Sequence, residues 1–292
     1  MATGNASPLT SLCMATAEPA ERTRPDQDEH ALFTRDGDVV VPTDLARGPW
    51  SRDALHGGPV AALIGGVAGR RLSTDGMLPV RLTAELVRPV PVAPLALTVR
   101  EVRPGKRVRL LDVTVTVAAT GTEVALGRVL GIREAHLDLA VEPTVPEDEA
   151  PPGPGAGVTR PPMSDAYPAF HNGGIEIRFV RGRFDRPGPA TVWFRLRGPV
   201  VAGEEPIPFE RAAAASDFGN GIAAELEFRP GTIFINPDLT VSVHRPPVGE
   251  WVCLDARTRF GAPGIGTAES ALWDEQGRIG RAIQNLLVEP PG

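Results

Sequence analysis

Leu82-Thr83-Ala84-Glu85-Leu86-Val87-Arg88-Pro89 and Leu239-Thr240-Val241-Ser242-Val243-His244-Arg245-Pro246 align residue for residue, 157 positions apart. Each alternates with a period of two and stops at Arg-Pro, which reads as a strand whose end is marked by a residue without a backbone donor. Further on, Gly127-Arg128 lines up with Gly280-Arg281, only a few residues off the same separation. The elements around the two stretches also come in the same order: a hairpin, a small-residue helix, then four strands. Two copies of about 110 residues, each too small to cover its own helix well, are expected to pair their sheets edge to edge.

In the first copy, Leu32-Phe33-Thr34 and Val39-Val40-Val41 flank a turn at Asp36-Gly37-Asp38, a hairpin signal. His56-Gly57-Gly58-Pro59 leads into a helix over 60–72 whose closing Arg70-Arg71 suits the negative end of the helix dipole. Its glycines weaken it in isolation, so packing must hold it. Residues 80–87, 95–102, 108–117 and 124–133 alternate as strands, with turns at Arg103-Pro104-Gly105-Lys106 and Ala119-Thr120-Gly121-Thr122. In the second copy, strands at 175–180 and 191–196 precede a helix at 208–222. Residues 233–235 lead from it into a strand at 239–244, and strands at 252–257, 266–273 and 281–288 follow. The predicted fold class is α+β. Residues 1–30 form a polar tail without apolar periodicity, expected to be disordered, in which Met14 is an alternative start. Residues 31–135 form the first domain and 166–292 the second. Between them, 136–165 reads as a linker rich in proline and glycine.

The second helix, Pro208-Phe209-Glu210-Arg211-Ala212-Ala213-Ala214-Ala215-Ser216-Asp217-Phe218-Gly219-Asn220-Gly221-Ile222, opens on a proline and closes on glycines. Almost every side of it is small or apolar, so it is expected to be buried. Asp217 is out of place there. The negative end of its own helix and the loss of water both predict a raised pKa. A turn-capping role beside Gly219-Asn220-Gly221 is the structural alternative.

Composition narrows the functions. The net charge of −6 argues against general nucleic-acid binding, which needs a basic surface. Cys13 and Cys253 form neither a disulfide framework nor a metal-binding spacing, so no metal site is expected. No stretch is long and apolar enough for a membrane span, and no signal-peptide pattern opens the chain, so a cytoplasmic location is expected.

With these residues in place, the chain resembles the acyl-CoA thioesterase II family of double hot-dog proteins, over roughly 31–290. The resemblance is carried by His56-Gly57-Gly58, by Arg88-Pro89, by Ser216-Asp217, by Phe234-Ile235-Asn236-Pro237-Asp238-Leu239-Thr240 running on to His244-Arg245-Pro246, and by Gln284. It implies two tandem antiparallel sheets fused into one, each wrapped around its own central helix. It implies hydrolysis of acyl-CoA thioesters, a reaction of fatty acid metabolism, by direct water attack without a covalent intermediate or cofactor. The family's water-holding residues map onto Asp217, Gln284 and Asn236, and the last stands where the best-known members carry threonine. An amide can still orient water by donating and accepting. The partner implied is an acyl-CoA or related acyl thioester; oligomeric state stays open, since fused hot-dog units often associate further.

Oxyanion donors are expected from the amides of Gly57 and Gly58 or from amides near Asp217. Arg103, Lys106 and Arg107 form the most basic short loop and are candidates for the CoA phosphates. His56, His244 and Asp238 read as structural, and Trp193, Trp251 and Trp273 as core. A non-catalytic acyl-thioester binding protein is the alternative function, encouraged by Asn236. A hydratase ranks lower because no histidine follows Asp217 in its helix, and a serine thioesterase lacks a GxSxG elbow.

Overall fold

In the computed structural model, residues 28–135, 149–160, 165–227 and 232–289 are described. The expected tail up to residue 27 and the first part of the acidic linker lie outside them. The strands are β1 (Phe33–Asp36), β2 (Val39–Pro42), β3 (Met77–Leu86), β4 (Leu95–Arg103), β5 (Val108–Val117) and β6 (Glu123–Arg133), with helix α1 (Gly57–Ser73) before β3. The second half has β7 (Ile175–Arg183), β8 (Arg186–Leu196), α2 (Pro208–Ser216), α3 (Gly219–Ala223), β9 (Ile233–Ile235), β10 (Asp238–Val243), β11 (Trp251–Phe260), β12 (Ile265–Asp274) and β13 (Gly277–Glu289).

All strands join one antiparallel sheet in the order β1-β2-β4-β5-β6-β3-β10-β13-β12-β11-β8-β7, with β9 added beside β13. The order reads as the same strand sequence laid out twice from the centre. At that centre β3 pairs with β10, with Thr83 opposite Thr240, Leu82 opposite Val241 and Ala84 opposite Leu239. Thr83 and Thr240 are also the residues that match in the sequence repeat. The seam is thus a local two-fold, and the edge-to-edge joining expected of two small copies is one continuous sheet.

Alternation at the seam decides which face is covered. Leu82, Ala84, Leu239 and Val241 are buried on the helix side, and one apolar core runs through both halves. Burying each of the leucines and the valine contributes about 1.5–3 kcal/mol. The two-fold sets α1 and α2 antiparallel, so the start of one meets the end of the other. A Cβ at Gly66 would overlap the Glu210 carboxylate, and one at Gly69 would fall 2.9 Å from the Ile207 side chain. The glycines that weaken α1 alone are therefore what lets the helices approach.

The predicted second helix is split. α2 ends at Ser216, Asp217 and Phe218 keep right-handed backbone angles, and α3 resumes at Gly219. The described part of the linker lies on the outer face of the sheet. Val158 bridges to Phe179, and Trp193 Nε1 donates to Pro152 O at 2.8 Å. Trp193, Trp251, Cys253 and Trp273 form a separate cluster on that face, with Arg178 and Arg195 over the Trp251 ring at 4.7 and 5.0 Å.

Glu210 is 2% exposed at the junction of the halves. It accepts from Arg70 Nη1 at 2.9 Å and from the Ile207 N–H at 3.0 Å. Burial drives its carboxyl up to about 7 against the pull of Arg70. The fold favours the protonated form, so this stability is complete below the ordinary 4.5 and is lost as pH rises through about 7. The span corresponds to about 3 kcal/mol. Calorimetric melting between those two pH values should show wild type losing stability relative to Glu210→Gln; parallel curves would contradict the assignment.

Candidate active site

Where the start of α1 meets the end of α2, a cavity of about 480 Å³ opens between the halves. Its size suits a small-molecule site. Leu55, Leu86, Val90, Phe218 and Phe234 give it apolar walls, and His56, Asp217, Asn220 and Asn236 converge on it as polar groups. Neither half could build it alone.

Asp217 follows the last residue of α2, and its side chain is only 7% exposed. Three segments turn donors on it. His56, which precedes α1, places Nδ1 2.8 Å from Oδ2. Asn236, just before β10, donates from Nδ2 to Oδ1 at 2.7 Å. Gln284 on β13 reaches Oδ1 at 3.2 Å and the Asp217 carbonyl at 3.1 Å with Nε2, while its Oε1 accepts the Asn220 N–H at 3.1 Å. A Cβ on Gly57 would fall 2.7 Å from Oδ2, so only glycine lets the helix start come this close.

His56 Nδ1 also lies 3.0 Å from the Gly58 N–H. One nitrogen cannot donate to Oδ2 and accept from Gly58 at once. The carboxylate decides between them: Nδ1 carries a proton toward Oδ2, and the Gly58 N–H then turns its positive end to Asp217. His56 Nε2 has no hydrogen-bond partner among the described residues, and the ring packs against Phe170 and Phe218 with centroids 5.2 and 4.6 Å away.

These contacts reverse the expected pKa. Desolvation is the largest influence and raises it, but the charge and hydrogen bond of His56, the Asn236 amide and the Gly58 N–H together outweigh it. The Asp217 carboxyl is held below the usual carboxylate range. The sequence argument counted Asp217's own helix end and its burial; it could not count donors supplied by other segments.

Asp217, Gln284, Asn236 and Gly57 come together, with Gly58 directly behind. Arg103, Lys106 and Arg107 do not join them. They sit exposed at the β4–β5 hairpin, and none lines the cavity. Arg88 is the lysine or arginine found in the cavity wall. Asp238 is structural as expected, accepting from the Asn285 backbone and side chain at 2.7 and 2.6 Å. His56, expected to be structural, has a contact with Asp217 that the sequence reading did not foresee. Its place before Gly57-Gly58 was visible, but the carboxylate across from it was not. Its presence also removes the ground on which a hydratase was ranked low. Among the described residues, no helix is long and apolar enough to cross a membrane.

The family model of the acyl-CoA thioesterase N-terminal domain matches residues 46–127, and that of the acyl-CoA thioesterase C-terminal domain matches 142–288. The chain belongs to the acyl-CoA thioesterase II-like family, and the reaction class to which this points is acyl-thioester hydrolysis. It is similar to a provisionally named thioesterase of Novosphingobium aromaticivorans, with 25% identity, coverage of 89% of this chain and 99% of that one, and a TM-score of 0.64. A hot-dog protein of unknown function from Alicyclobacillus acidocaldarius gives 17% identity, 92% and 100% coverage, and a TM-score of 0.65. The acyl-CoA thioesterase II TesB2 of Mycobacterium marinum gives 14%, 91% and 98%, and 0.59. At such identities the likeness to solved structures establishes the hot-dog fold. No curated protein matches the chain in sequence.

In His56→Ala the carboxyl loses its strongest partner while staying buried. Its titration, followed by carboxyl-carbon NMR, should move upward from wild type; an unmoved titration would contradict the role given to His56.

Proposed function

We propose that the chain hydrolyses acyl-CoA thioesters to a free acid and CoA by direct attack of water, with Asp217 as its centre. The observation that carries this reading is the buried Asp217 carboxylate in the cavity wall, with its Oδ1 edge bounded by Asn236 and Gln284. The Gln284 contact on Oδ1 is the longer one, at 3.2 Å. A water entering from the cavity replaces it, donating to Oδ1 and accepting from an amide N–H. One lone pair is then left for the thioester carbon.

With its carboxyl held below the usual carboxylate range, Asp217 is ionised throughout the neutral range and always able to accept the water's hydrogen. It holds a transferred proton weakly and passes it on to the departing thiolate, giving free acid and thiol. His56 keeps the carboxylate charged. The N-terminal end of α1, at Gly57 and Gly58, presents positive potential beside the reacting carbonyl.

Release of thiol from a panel of acyl-CoAs tests this. Asp217→Asn should lower kcat by about 10²-fold or more. His56→Ala should move the acid limb of the pH–rate profile to higher pH, because the carboxylate then protonates more easily. Undiminished turnover in Asp217→Asn would sink the mechanism. A 2-enoyl-CoA in the same panel tests the hydratase that the His56–Asp217 contact allows, and its double bond should persist.

Arg88 makes no side-chain ion pair or hydrogen bond among the described residues and is assigned to the CoA phosphates in place of the β4–β5 loop. Arg88→Glu should raise KM for an acyl-CoA about tenfold. The same change should leave KM for an acyl-pantetheine, which lacks the nucleotide, unaltered.

The second reading is a non-catalytic acyl-thioester binding protein. It is favoured by the number of donors already on the Asp217 carboxylate and by its lowered basicity. Calorimetric binding of an acyl-CoA without turnover would select it.

A further inference from the structure

Asn220 is 8% exposed and stands in the cavity wall. Its backbone is committed, since its N–H donates to Gln284 Oε1 at 3.1 Å. Its side chain is not. Oδ1 is buried without a hydrogen-bond partner among the described residues, and no described residue bonds Nδ2 either. Buried amides are nearly always paired, and one left open beside a catalytic carboxylate has a ligand as its natural partner. With Oδ1 turned into the wall, Nδ2 is the group left to face the cavity. Gly219 holds this turn in place, because a Cβ there would fall 2.9 Å from Gln284 Oε1.

We propose that Asn220 is a further catalytic residue whose Nδ2–H donates to the thioester carbonyl oxygen. This deepens the hydrolase reading and rests on it. As the water adds to the carbonyl carbon, the carbon–oxygen π pair moves onto that oxygen, and the Asn220 N–H receives the charge. Collapse of the adduct reforms the carbonyl, breaks the carbon–sulfur bond and sends the thiolate out with the proton that Asp217 took from the water. Water and thioester become acid and thiol, with nothing else consumed. An amide suits the task because it donates without titrating, so it serves at every pH where Asp217 is ionised. The substrate class that fits is an acyl thioester whose carbonyl lies between Asn220 and the start of α1.

The test compares Asn220→Ala and Asn220→Asp with wild type in the full chain, using thiol release from acyl-CoAs and thermal melting without ligand. Loss of one such donor should lower kcat by about 10²–10³-fold with KM little changed. Asn220→Asp keeps the shape but replaces the donor by an acceptor, and should be at least as slow. The residual pH–rate profile should keep its acid limb. Asn220→Ala should melt no lower than wild type, because it removes a buried polar group that nothing pairs. A kcat within a few-fold of wild type overturns the proposal, as does a lowered Tm with kcat lowered and KM raised, the mark of a structural amide. A wild-type chain inert toward every thioester removes the hydrolase reading and this role with it. An active wild type with indifferent Asn220 variants leaves that reading standing and removes only this role.

Discussion

The pairing of β3 with β10 is the constraint from which the rest of the molecule follows. Because the two strands are repeats of each other and run antiparallel, Thr83 can face Thr240 only if the halves are related by a local two-fold. A register slip of one residue would turn Leu82 and Val241 out of the core. The same two-fold lays α1 beside α2 in opposite directions. One pair of helix ends then meets at Gly57 and Asp217, and the other at Gly69 and Ile207. Duplication thus produces two equivalent junctions, and divergence has made them different. One opens as an apolar-walled cavity with polar groups converging on it; the other is closed by the Ile207 side chain against Gly69.

Two buried carboxylates on either end of α2 show which electrostatic effects win. Glu210 sits in the first turn, where the helix dipole favours a negative charge, yet its carboxyl is pushed up to about 7. Asp217 sits past the last turn, where the dipole disfavours charge, yet its carboxyl is pulled down. Dipole effects of about 0.3–1 kcal/mol are outweighed by desolvation and by specific donors. Glu210 has the Arg70 guanidinium and one backbone N–H, while Asp217 has an imidazole, two side-chain amides and the N-terminal end of α1. The number and placement of donors decide the order, not position along the helix.

The outer face of the sheet has a different character. Its tryptophan cluster is covered by the described part of the linker and by arginines stacked on Trp251, so these rings serve packing away from the cavity. The apolar surface offered to a ligand comes instead from Leu55, Leu86, Phe218 and Phe234, drawn from both halves. Length of the repeat explains this division. A single copy has one helix and cannot enclose a cavity between two.

The residues themselves determined the duplication, nearly every strand and the two helical regions, though not the break in the second, because periodicity, turn glycines and Arg-Pro stops are local signals. They also singled out Asp217 as an acidic group in an apolar helix, and the family pattern added Gln284 and Asn236. Tertiary structure alone decided what surrounds that carboxylate. His56 lies 161 residues away in the chain and Gln284 comes from the last strand, so their distances to Asp217 are set by the seam and by glycine-allowed helix contact. The direction of the Asp217 pKa shift, the exclusion of Arg103, Lys106 and Arg107 from the cavity, and the open amide of Asn220 are likewise consequences of three-dimensional packing. Hydrogen bonds act over about 3 Å of space whatever the separation in sequence, and no local pattern encodes them.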